Sequence, residues 1–137
     1  MTSELIQLSF DQVMQTRAYT VIVLTGKEKR FAIYMDPSIG RALQTLLTET
    51  EKLRPSCHDL IDRIFQGAEM QVKQVIINDV QDTVYFARLF LETNKNELRH
   101  ILEIDARPSD CLILAIMNNA PVYCTSEVLE KTIEIKE

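Results

Sequence analysis

Tryptophan is absent, and glycine and proline occur only three and four times in 137 residues. So few chain breakers exclude collagen-like, linker-like and low-complexity organisation. Cysteine is confined to Cys57, Cys111 and Cys124. An odd number without CxxC spacing excludes a disulfide scaffold and fits free thiols in a reducing compartment. The two histidines, His58 and His100, are too few for a His-rich zinc site. No apolar run approaches the ~18 residues needed to span a bilayer. The longest, Val21–Leu24 and Cys111–Met117, are core-sized. Met1-Thr2-Ser3-Glu4 offers neither a basic region nor an apolar segment of the secretory kind, so a cytoplasmic location away from membranes is expected.

Positive charge is also short. Fifteen Lys+Arg against twenty Asp+Glu leave a formal charge of −5, so the global field opposes duplex DNA. Lys27, Lys29 and Arg30 form a local basic cluster, readable as a solvated hairpin tip or as an anion patch. No glycine-rich phosphate loop, nucleophile elbow or HExxH sequence is present.

What remains is ordinary globular composition, 46% hydrophobic and 26% charged. One domain over residues 1–137 is expected, long enough to bury a core. Leu5–Phe10, Tyr19–Thr25 and Arg30–Met35 read as strands, with a glycine-containing hairpin loop at Thr25–Lys29. Asp36-Pro37 caps a helix over 37–49, with apolar residues at Ile39, Ala42, Leu43, Leu46 and Leu47. Arg54-Pro55-Ser56 opens a second helix with an apolar stripe of Cys57, Leu60, Ile61, Ile64, Phe65 and Ala68, stopped by Gly67. Met70–Asn78, Thr83–Glu92 and Leu98–Asp105 follow as strands. The last of these alternates, with one face wet and His100 packed beside Leu98 and Leu102. Tyr85, Phe86 and Phe90 offer faces for stacking bases, though on an alternating strand such aromatics are more often core. Arg107-Pro108-Ser109-Asp110 starts a third helix, Pro121–Cys124 is a short strand, and Thr125 caps a last helix to Lys131. The order β-β-β-α-α-β-β-β-α-β-α indicates an α+β fold: a mixed, largely antiparallel sheet packed with about four helices.

Two clusters carry chemistry. In Arg107-Pro108-Ser109-Asp110, proline at the first helical position places Ser109 and Asp110 in the first turn, where Asp110 complements the helix dipole. Arg107 then either locks Glu103 or Asp105 in a structural ion pair, or faces an anion together with first-turn amides. In Arg54-Pro55-Ser56-Cys57-His58-Asp59, His58 is suited to proton transfer near neutral pH and Asp59 to orienting it or holding a cation. A solvated histidine beside a dipole-complementing aspartate is the plainer alternative.

Residues from about 30 to 130 resemble the bifunctional nuclease domain family. The resemblance is carried by Phe31-Ala32-Ile33-Tyr34, Arg54-Pro55-Ser56-Cys57-His58-Asp59-Leu60 and Val75-Ile76-Ile77-Asn78-Asp79. It continues through Val84-Tyr85-Phe86-Ala87-Arg88-Leu89, Asp105-Ala106-Arg107-Pro108-Ser109-Asp110, Pro121-Val122-Tyr123 and Glu127-Val128-Leu129. It implies a self-associating domain, a dimer for instance, that hydrolyses phosphodiesters in RNA or single-stranded DNA. Its matching polar positions are Arg54, His58, Asp59, Arg107, Ser109 and Asp110. On that basis His58, Asp59 and Asp110 are the expected catalytic residues, and Arg54, Arg107 and Ser109 the expected phosphate ligands. Asp59, Asp105 and Asp110 are candidate ligands for a divalent cation such as Mg²⁺ or Mn²⁺, the cofactor itself being left open. Many relatives carry Glu-Ala where this chain has Ile39-Gly40. The competing expectation is a non-catalytic, oligomeric module that binds an anion, a nucleic acid or a protein.

Overall fold

β-Branched runs and two-residue turns build the framework. A computed structural model describes residues 4–136. The strands are β1 (Leu5–Gln15), β2 (Thr20–Gly26), β3 (Lys29–Met35), β4 (Met70–Gln81), β5 (Val84–Lys95), β6 (Leu98–Ala106) and β7 (Val122–Thr125). The helices are α1 (Pro37–Leu47), α2 (Cys57–Gly67), α3 (Pro108–Met117) and α4 (Ser126–Lys131). The sheet order is β3-β2-β1-β7-β4-β5-β6. Only the β4–β7 pair is parallel, so the mixed, largely antiparallel α+β arrangement and the element order are as expected.

The sheet is strongly curled. β1 pairs with β7 through Leu5–Leu8 and with β2 from Ser9 to Gln15, with an irregularity in the second register between Phe10 and Gln12. Such a bulge bends a strand and increases its twist. The curl brings Phe31 of β3 onto Tyr85 of β5, with ring centroids 5.7 Å apart. α3 lies inside this curve. Its Cys111, Leu112, Ile113, Leu114 and Ala115 are all buried, which is why Cys111–Met117 shows no polar face. Burial pushes the Cys111 thiol up to about 12 and the Cys124 thiol up to about 11.

Three local expectations are corrected. The β2–β3 turn uses Lys27 and Glu28, both at positive φ, while Gly26 sits in the strand. A Cβ on Gly26 would lie 2.8 Å from Leu8 Cδ2, so close packing rather than turn geometry asks for glycine there. Gly67 is the last residue of α2 but not its left-handed stop: Ala68 is the C-cap and Glu69 takes the left-handed position at φ 58°. β6 is not half-buried: its residues through Asp105 are exposed on both faces, His100 included. It is an edge strand, and no helix covers it fully.

The basic cluster is an anchored hairpin end. Lys27 meets Glu4, Lys29 donates to the Leu129 carbonyl and Arg30 Nε to Asp11. Phe86 is exposed at the surface, whereas Tyr85 and Phe90 are half-buried.

Candidate active site

The sequence Arg-Pro-Ser is used twice in different registers. In α2, Ser56 is the N-cap and Asp59 the third helical residue. Ser56 Oγ accepts from Asp59 N at 3.2 Å, and the Asp59 carboxylate accepts from Ser56 N at 2.7 Å, a complete capping box. Lys52 also donates to Asp59. The Lys52 hydrogen bond, followed by that from Ser56 N, holds the Asp59 carboxyl down at about 2. Asp59 therefore caps its own helix and makes no bond to His58 or Asp110 among the described residues.

In α3 the frame is shifted. Arg107 is the N-cap and has no capping side-chain bond, Pro108 follows at N1, and Asp110 occupies the third position that Asp59 holds in α2. Without a capping partner, the Asp110 carboxylate turns to side chains. Arg107 Nε and Nη2 donate to its two oxygens at 2.8 and 3.2 Å, and His58 Nε2 lies 2.9 Å from Oδ1. Two helix starts that are 52 residues apart thus meet in one hydrogen-bonded unit. Burial pushes the Asp110 carboxyl up, but hydrogen bonds from Arg107 and His58 outweigh it and the net shift is downward. A carboxylate that only accepts makes Nε2 the donor, so the neutral imidazole presents Nδ1 as its basic nitrogen. His58 is buried, whereas the Arg107 side chain is 65% exposed and its Nη1 makes no bond among the described residues. Asp36, the N-cap of α1, adds negative charge beside Arg107.

The unit borders an apolar groove of about 460 Å³. Ile39, Ile61, Phe65, Leu89, Ile104 and Leu114 supply its walls, while Cys57, His58, Arg107 and Asp110 supply its polar rim. These groove residues escaped the sequence reading because each looks like an ordinary core position. Cys57 is exposed at the rim of the groove.

The other expected residues lie elsewhere. Arg54 is exposed in a basic concavity with Lys52, Arg63 and Asp59. Ser109 is buried and lines a third concavity with Tyr34, Thr83, Tyr85 and Arg107. Asp105 stands opposite Arg88 in β5, on the face of β6 turned away from the groove residues Ile104 and Ala106. The three cation candidates Asp59, Asp105 and Asp110 therefore do not converge. Among the described residues no three His, Cys, Asp or Glu side chains are placed to hold a metal. Asp59 and Asp110 already spend their oxygens on capping, lysine, arginine and histidine donors. This donor set does not fit a resident divalent cation.

Residues 21–136 match the model of the bifunctional nuclease domain. The chain belongs to the bifunctional nuclease domain family. Two relatives, both uncharacterized proteins from strains of Mycobacterium tuberculosis, are 28% identical over 120 residues, covering 86% of this chain and 69% of each relative. The family match spans both helix starts and every residue of the His58–Asp110–Arg107 unit. Among the described residues no helix is long and apolar enough to cross a membrane.

Proposed function

We propose that this bifunctional nuclease domain hydrolyses phosphodiester bonds in RNA or single-stranded DNA at the His58–Asp110–Arg107 unit. The observation that carries the reading is the 2.9 Å contact between His58 and Asp110, which joins a proton acceptor to a fixed carboxylate beside an exposed guanidinium.

In this reading His58 Nδ1 takes the proton of the attacking hydroxyl, a water for DNA and a water or the 2′-hydroxyl for RNA; as the new bond to phosphorus forms, the bond to the leaving ester oxygen breaks, and that oxygen takes up the proton the imidazolium carries. Asp110 keeps the ring in the right tautomer and balances the imidazolium that forms. Arg107 Nη1 meets the phosphate and stabilises the charge that builds on its oxygens at the transition state. The apolar groove receives an unstacked base, which a duplex does not offer, and this favours single strands. Arg54, Lys52 and Arg63 extend the phosphate path along α2. Ser109 contributes by fixing the start of α3 against the sheet, and Asp59 by capping α2. No step is assigned to a metal. The domain works in the cytoplasm in this account, consistent with three unpaired thiols.

A second reading has its own support: Asp110 already neutralises Arg107, and the overall charge is −5. The same unit would then hold a phosphate end without cleaving it. The two readings separate when labelled single-stranded RNA and DNA are incubated with the wild type, Arg107→Ala and His58→Ala. Cleavage that both substitutions depress supports hydrolysis. Binding that Arg107→Ala weakens, with no turnover by the wild type, supports the binding module.

A further inference from the structure

The Arg107 side chain borders two concavities. One is the apolar groove beside His58. The other, of about 310 Å³, is lined by Tyr34, Asp36, Thr83, Val84 and Tyr85 together with Arg107. That volume reaches the lower bound of small-molecule sites, about 300 Å³. Through Tyr34, Thr83 and Tyr85 it runs on into a further hollow of about 210 Å³. Ile133 and Ile135 of the C-terminal segment wall that hollow, and Ile135 N anchors the segment by donating to the Arg30 carbonyl at 2.8 Å. Asp82 and Lys131 also line it. The hydrolysis proposed above uses only the first concavity.

The second concavity is apolar and aromatic at the surface. Tyr34 is 62% exposed, Val84 58% and Ile133 77%, a contiguous patch of the kind that marks a binding site. Phe31, Ile33 and Met35 of β3 are buried, so alternation turns Tyr34 outward. Tyr19 packs against Tyr34 edge-on, with ring centroids 5.2 Å apart. Phe31 stacks on Tyr85 and fixes that ring. Neither tyrosine hydroxyl makes a hydrogen bond among the described residues. Two supported aromatic rings beside an aliphatic wall suit a flat heteroaromatic ring, and base stacking on such side chains tolerates every base.

Charge decides what enters. Asp36 and Asp82 turn the concavity against a phosphate and favour a neutral group that donates. Asp36 already accepts from Ser38 N and Ser38 Oγ. Asp82, at φ 58° in the two-residue β4–β5 turn, has no partner among the described residues. A free carboxylate only accepts hydrogen bonds. Lys131 stays 61% exposed and lies 3.9 Å from Asp79. The pairing edge of guanine matches this set: N1–H and N2–H donate to a carboxylate, and O6 accepts from an ammonium. Thymine and uracil flank their one ring N–H with two carbonyls, which a carboxylate repels.

We infer that this concavity is a base subsite: it stacks the nucleotide next to the phosphate held by Arg107, and Asp82 selects guanine there. The inference rests on the reading of Arg107 as a phosphate ligand. The juxtaposition that carries it is one exposed guanidinium between two concavities, as a phosphodiester lies between two nucleosides.

Fluorescence anisotropy of the full chain tests this with two fluorescein-labelled DNA oligomers, thymine throughout or with guanine at the central positions. Phosphorothioate linkages keep both uncleaved. The wild type is expected to bind the guanine oligomer at least about fivefold more tightly. Tyr34→Ala, at an exposed position, is expected to keep its circular dichroism melt and to weaken binding of that oligomer at least about fivefold. Asp82→Asn is expected to bring the two affinities to within about twofold. A wild type that binds both oligomers equally, or neither at millimolar concentration, overturns the inference. So does a folded Tyr34→Ala that binds as the wild type does. Cleavage of unmodified RNA and DNA is scored separately. Binding lost in Tyr34→Ala, with no turnover by the wild type, upholds the subsite and removes the hydrolysis. Turnover that needs His58 but ignores Tyr34 and Asp82 upholds the hydrolysis and removes the subsite.

Discussion

Replacing Asp110 by Asn tests whether the His58–Asp110–Arg107 unit is as tightly built as its distances indicate. The change keeps the shape but removes the charge that three hydrogen bonds share. The bond to buried His58 is charge-assisted; an amide oxygen still accepts it, so the loss is the difference between a charged and a neutral bond, about 1–1.5 kcal/mol. The Arg107 side chain is 65% exposed, so solvent screening holds its share to about 0.5 kcal/mol or less. Loss of an acidic residue from the first turn of α3 adds about 0.3 kcal/mol or more. The sum is about 1.5–2.5 kcal/mol, a fall in Tm of roughly 4–9 °C for a chain of this length. The pH dependence has a definite sign. The folded carboxyl lies below its ordinary value of 3.8, so its stabilisation is present above that value and lost as pH falls through the lower folded one. Melts of wild type and Asp110→Asn should therefore differ fully at pH 7 and converge in acid. A difference below about 1 °C at pH 7, or one that persists unchanged in acid, refutes the reasoning.

Three further outcomes are expected. Arg107→Ala, at an exposed N-cap, should cost at most about 1 kcal/mol in thermal melts yet lower cleavage or phosphate affinity by at least about tenfold; equal, large losses in both would make the arginine structural. Gly40→Ala should destabilise by about 1–3 kcal/mol or more, because the new Cβ would fall 1.7 Å from Thr20 Oγ1 and 2.3 Å from Thr20 Cβ. Adding Thr20→Gly should recover part of the loss in urea unfolding. Iodoacetamide on the native protein should add a single label, at exposed Cys57 beside the groove, leaving buried Cys111 and Cys124 unmodified by mass spectrometry, and the adduct should slow cleavage.

The element order was legible because each element announces its own ends. Asp36-Pro37 and Ser56 mark helix starts, and Asn118-Asn119 marks a stop, with Asn119 at φ 52°. The exposure of β6 was not legible. Alternation records which residues share a face, but not whether a helix reaches far enough to cover it. The same limit explains the stripe on α2, of which Ile61 and Phe65 pack against the core while Leu60 and Ile64 do not. At the site, Arg107 and Asp110 were readable from their spacing around Pro108. The partnership of His58 with Asp110 spans 52 residues and is created by how the helices pack. Asp59 drew attention for its place beside His58, but its capping box turns it to Ser56 and Lys52. The Ile39-Gly40 departure also gains a meaning: Gly40 is the surface on which Thr20 rests, and an alanine there does not fit beside this threonine.

The most direct test of the account is the cleavage rate of fluorescent single-stranded RNA and DNA by wild type and His58→Ala, purified side by side and measured with and without added imidazole. The account predicts a loss of at least about 10²-fold in the folded His58→Ala protein, with partial recovery when imidazole supplies the missing base. Equal rates in the two proteins, or a loss that imidazole leaves untouched in both substrates, would contradict His58 as the proton acceptor.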